Sequence, residues 1–177
     1  TVREDFEKEW NKINDDIMIA LEKVHEIKWS NKFNEFTARV NSNPICPRYL
    51  NKNTFDIYFA IHNDLMKRII VHEISHFIFF EKWKQIFPEA DAREFETPHL
   101  IWKFSEMVPY VILNDERIQE VFPHEPPVYD VWKKLEINNK PILKKLEEIY
   151  KKRKNFEDFI KNSWKFIQEN KDKIERT

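Results

Sequence analysis

Two histidines four residues apart, with a glutamate directly after the first, stand in the run Val71-His72-Glu73-Ile74-Ser75-His76-Phe77. On an α-helix such positions lie one turn apart on the same face, so both imidazoles can reach one ion. Bonds of about 2 Å from ring nitrogen to Zn²⁺ suit that spacing. Glu73 is not needed to hold a metal, but its place beside the first histidine fits it to take a proton from water activated there. His72 and His76 are therefore candidate metal ligands and Glu73 a candidate catalytic base, with one zinc ion per chain as the expected cofactor. The plainer alternative, two core histidines without a metal, needs a hydrogen-bond partner for each ring in an apolar helix.

The motif requires a rigid helix. Ile69, Ile70, Val71, Ile74, Phe77, Ile78 and Phe79 surround it, and the pattern predicts one continuous helix over 65–86, capped by Asn63 or Asp64 and ending before Phe87-Pro88. Ahead of it, Phe55, Ile57, Phe59 and Ile61 alternate as in a half-buried strand, and residues 33–40 alternate more loosely. Phe6, Trp10, Ile13, Ile17, Leu21 and Val24 repeat at helical spacing and predict one long amphipathic helix over 3–28. Beyond the motif, residues 89–96 read as a loop or short helix. Thr97-Pro98 reads as the start of a helix over 99–113, which Pro109 is expected to kink or break. Pro123, Pro126 and Pro127 mark a loop, and helices are expected over 129–137, 141–153 and 156–173. The fold class is α+β, mostly helical, with a small sheet beside the motif helix, and residues 1–177 are expected to form one domain.

Composition narrows the functions. With no glycine among 177 residues, the glycine-rich loops that cradle nucleotide phosphates are excluded. Turns must then rest on Asn, Asp and Pro. Thirty Lys plus Arg against 31 Asp plus Glu leave a net charge of −1, with no general pull toward nucleic acid or anionic lipid. The Lys-rich stretch from residue 144 to 154 is interleaved with acids and reads as a solvated helix face. No apolar run is long enough for a membrane span. Cys46 stands alone, so no internal disulfide is possible, and the cytoplasm is the expected location. A chain opening on Thr1 leaves a removed leader open. His25, His62 and His124 read as surface or turn residues, although His124, in a proline-rich loop, could reach a cleft.

The order of strands, HExxH helix and following glutamate-bearing helix resembles the zincin metallopeptidases, across about residues 30 to 115. No third histidine follows His76, since Phe77-Ile78-Phe79-Phe80 stands there, so the likeness is to the gluzincin branch. The resemblance implies peptide-bond hydrolysis of a peptide or protein substrate, with the strand at 55–61 as the sheet edge on which substrate lies. Glu106, in Phe104-Ser105-Glu106-Met107-Val108, is the first choice for third ligand, because an unpaired carboxylate in so apolar a helix would be costly. Glu89, Glu96 and His99 are rivals; Glu89-Ala90-Asp91 is similar to the glutamate segment of HExxH proteins that cleave phage-type repressors. Tyr110 stands where gluzincins commonly have an aspartate, which leaves the partners of the histidines unidentified and offers a phenol as a possible oxyanion ligand. The alternatives are a zinc-binding regulatory or interaction module without peptidase activity, or an intracellular HExxH protein that cleaves repressors; whether an enzyme would be active or kept latent by its flanking helices stays open.

Overall fold

The computed structural model describes residues 1–177 as a mostly helical α+β structure. Its helices are α1 (Val2–Asn11), α2 (Asn14–His25), α3 (Asn63–Ile86), α4 (Leu100–Ile112), α5 (Glu116–Gln119), α6 (Asp130–Lys134), α7 (Ile142–Lys152), α8 (Phe156–Glu169) and α9 (Lys171–Glu175). A three-stranded sheet holds β1 (Thr37–Asn41), β2 (Arg48–Tyr49) and β3 (Thr54–Tyr58), and β4 (Glu136–Ile137) pairs with β5 (Lys140–Pro141) in a hairpin. No helix is long and apolar enough to cross a membrane.

Helix α3 is the axis of the core. Every residue from 70 to 80 is buried, the condition of a helix enclosed all round rather than laid on a surface. Helices α1, α2, α4 and α8 and strand β3 pack around it. Its N-terminus is capped by His62, whose Nδ1 accepts from the Leu65 amide at 3.2 Å, in place of the expected Asn63 or Asp64. Its C-terminus closes where the Phe87 amide donates to Trp83 and Pro88 has no amide to continue with. Helix α4 lies against α3 and α7, and buried Lys103 donates to the carbonyls of Ile174 and Glu175, tying α4 to the end of α9. Cations are favoured at a helix C-terminus for this reason.

The sheet order is β1-β3-β2, with β1 parallel and β2 antiparallel to β3. Strand β3 is therefore central, not the edge expected at 55–61, and it stops at Tyr58, leaving Phe59 half-exposed and Ile61 outside it. Its middle residue, buried Asp56, pairs in register with Arg39 at 2.7 Å, which satisfies the charge. Turns rest on asparagine in the absence of glycine. Asn53, Asn138 and Asn139 take left-handed backbone angles, and the last two form the hairpin turn.

Several helix expectations need correction. The segment 3–28 is two helices, broken by a tight turn at Lys12-Ile13 where the Ile13 amide donates to Trp10; the apolar stripe survives because the turn keeps the phase. Pro109 lies inside α4 without ending it, itself buried in the last turn. That helix starts at Leu100 with His99, not Thr97, as its N-cap. The expected helix over 129–137 is the short α6 followed by β4, and 156–173 divides into α8 and α9 at Asn170.

His25 is also not a surface residue. It is fully buried at the end of α2, with Nδ1 2.8 Å from the Leu21 carbonyl oxygen and its ring edge-on to Phe156. Burial pushes its pKa from the ordinary 6.5 down to about 4. Below pH 6.5 the unfolded chain accepts a proton that the folded chain refuses, so stability falls as pH drops from 6.5 toward 4 and levels off beneath that. The contribution is at most about 3 kcal/mol. His25→Phe, which keeps the ring against Phe156, is expected to flatten part of the decline in Tm across this window. An unchanged slope in thermal melts at stepped pH would contradict this account of His25.

Candidate metal centre

Three elements converge on one point in the core. Helix α3 supplies His72, Glu73 and His76, α4 supplies Glu106, and β2 supplies Arg48 from the far side of β3. The ligand atoms of His72, His76 and Glu106 all lie within 4.8 Å of one another, and all three residues are buried.

The three facing atoms form a compact triangle. His72 Nε2 and His76 Nε2 are 3.0 Å apart, and Glu106 Oε2 is 3.4 Å from the first and 3.6 Å from the second. The carboxylate distances are long for charge-assisted hydrogen bonds, which run at about 2.7–2.9 Å. They do suit the edges of a coordination polyhedron: the point equidistant from the three atoms lies about 2 Å from each, the length of a Zn–N or Zn–O bond. Donor chemistry agrees. Burial first, then the nearby Arg48 charge, push His76 down to about 3, so its imidazole is neutral with a lone pair to give. Burial alone would raise Glu106, but the imidazoles of His76 and His72 and the Arg48 guanidinium hold it well below the usual carboxylate range. Two imidazoles and one ionised carboxylate fit a divalent transition metal.

The histidines lack the usual outer support. The Nδ1 atoms of His72 and His76 are both buried without a hydrogen-bond partner among the protein atoms, where a metal-binding histidine commonly donates to a carboxylate or carbonyl. Packing orients the rings instead: His72 meets His76 edge-on with centroids 4.7 Å apart, and Phe80 stacks on His76 at 6.3 Å.

The other candidate residues lie elsewhere. Glu89, Glu96 and His99 are all exposed on the segment between α3 and α4, and none joins the buried triangle. Tyr110 sits on α4 facing Glu147 and Lys144 of α7; burial first and then Glu147 raise its pKa, and this orientation removes it as an oxyanion ligand at the triangle. His124 is occupied by the Phe122 carbonyl at 2.7 Å.

Two residues that spacing did not single out do reach the site. Arg48 donates from Nη1 to Glu73 at 3.3 Å and from Nη2 to Glu106 at 3.2 Å. Two carboxylates expected in buried helices require a cation, and that signal was available, but spacing does not choose among the arginines. Tyr129 lies beside Trp102, ring centroids 6.4 Å apart, within range of the centre's charges; burial and then the Glu106 and Glu73 charges push its phenol up. Beyond Phe80 lies a cavity of about 810 Å³, walled by Phe33, Phe77, Phe80 and Phe95 and reaching Arg48 and Tyr49. No protein-family model, curated protein or solved structure matches the chain.

The triangle predicts about one divalent metal per chain, measured by elemental analysis, and a metal-dependent rise in stability of about 3 kcal/mol at a hundredfold excess over Kd. His72→Ala and His76→Ala should each abolish binding. Glu106→Gln should weaken it strongly, because a neutral amide replaces an anionic donor, while Glu89→Gln should leave it unchanged. Reversal of the two glutamate results would transfer the third ligand to the 89–96 segment.

Proposed function

We propose that the protein is a zinc-dependent metallopeptidase of zincin type, with His72, His76 and Glu106 as zinc ligands and Glu73 as the general base. The observation that carries this reading is the buried two-imidazole, one-carboxylate triangle with a second carboxylate, Glu73, on the same helix directly after the first ligand. Bound zinc supplies Lewis-acid polarisation of a carbonyl and acidifies water. Burial, reinforced by the Glu106 charge, raises the Glu73 carboxyl against the opposing pull of His72 and Arg48. A raised carboxyl is a stronger proton acceptor, suited to take the proton from the attacking water and return it to the leaving amine.

The substrate reading follows from the sheet. Strand β2 is an edge strand, and it is the edge that carries Arg48 into the site. An extended peptide can add to such an edge through its backbone, which transfers the substrate-facing role from β3 to β2. The phenylalanine-walled cavity beside it favours a bulky apolar side chain near the scissile bond.

One observation favours a second reading, a latent or non-catalytic metal protein. His72 and Glu73 are 8% and 9% exposed and His76 is fully buried, which leaves little of the centre open to a substrate. The two readings separate on Glu73→Gln, which is expected to keep metal and fold while cleavage of a peptide library falls by about 10² to 10⁴. Zinc-loaded wild type that cleaves no peptide would favour the non-catalytic reading. Equal cleavage by wild type and variant would remove Glu73 as the base.

A further inference from the structure

Arg48 is the one buried side chain in contact with both carboxylates of the centre, and its 7% exposure matches theirs. We infer that Arg48 is a positioning residue that sets the rotation of the Glu106 carboxylate and the place of Glu73, an inference that rests on the metal centre proposed above. The two ends of its guanidinium divide the work. Nη2 holds Glu106 Oε1, and the other oxygen, Oε2, is thereby turned toward the two imidazoles. Nη1 holds Glu73 Oε2. The terminal torsion of a glutamate is soft, so without this contact Glu73 loses its one ion-pair partner and Glu106 keeps only the two longer imidazole contacts on Oε2. No other lysine or arginine pairs with either of them.

The sheet is built to deliver this side chain. Arg48 stands opposite Phe55 in the antiparallel pair, and the Asp56 amide donates to the Pro47 carbonyl at 2.9 Å immediately before it. Cys46, with left-handed backbone at φ 51°, turns the chain into that register. The guanidinium then rests over Phe80 at 5.8 Å, the ring that also stacks on His76. Charge supports the arrangement. One guanidinium bridges the two buried carboxylates, so they do not face each other without a cation between them. A lysine could supply the charge but not the fork, since an ammonium is a single point donor on a flexible stem.

The test loads the full-length protein with Co²⁺ in place of zinc and reads affinity by titration and coordination by the visible ligand-field spectrum, neither of which needs a substrate. Arg48→Lys is expected to bind one Co²⁺ about 10-fold more weakly than wild type with an altered spectrum, and Arg48→Ala up to about 100-fold more weakly, the range found when outer partners of metal ligands are removed. If Arg48→Ala does not fold, Arg48→Lys decides alone, because it keeps the charge and loses only the fork. Wild-type affinity and spectrum in folded Arg48→Lys would overturn the positioning role and leave Arg48 as charge balance. A wild type that takes up no Co²⁺ would instead overturn the metal centre, and this inference with it.

Discussion

The structure depends on keeping an ionised Glu106 inside an apolar core. Its carboxyl group is 4% exposed and lies among Phe104, Met107 and Val108 on a helix packed against the most buried helix of the chain. An isolated carboxylate there would be expelled or protonated. Three groups prevent that: two imidazoles from α3 on one oxygen and the Arg48 guanidinium on the other. Two of the three come from the enclosed helix α3 and the third from β2, paired with β3. The centre that would bind the metal thus links α3, α4 and β2 through side-chain contacts.

Apolar packing makes this centre rigid. From residue 70 to 80 every side chain of α3 is enclosed, and the aromatic cluster of Phe79, Trp83, Phe104 and Trp164 locks α3 against α4 and α8. Because the Nδ1 atoms of His72 and His76 have no hydrogen-bonding support, the ring orientations rest on this packing and on the contacts of the two Nε2 atoms with each other and with Glu106.

The helix carrying the motif was legible because its apolar residues surround it and Pro88 ends it, and the placement of Glu106 was legible because a carboxylate inside Phe104-Ser105-Glu106-Met107-Val108 demands a partner. The alternation of Phe55 and Ile57 identified a strand but not its neighbours. Edge or centre is decided by which segments pair with it, and the two residues of β2 are too few to show periodicity. Arg48 was hidden for the same reason. Its role comes from a turn at Cys46 and a pairing with Phe55, both long-range facts. The break between α1 and α2 was invisible because a single tight turn leaves the apolar stripe in phase. His25 was misplaced because its burial is imposed by α8 through Phe156, more than a hundred residues away.

The most direct test is a crystal of the protein grown with zinc and measured on both sides of the zinc absorption edge. The account predicts one anomalous peak per chain, about 2 Å from His72 Nε2, His76 Nε2 and Glu106 Oε2, with Arg48 still on Glu106 Oε1 and Glu73. A peak bound elsewhere, or a zinc-saturated crystal in which the two imidazoles remain hydrogen-bonded to each other with no density between them, would contradict it.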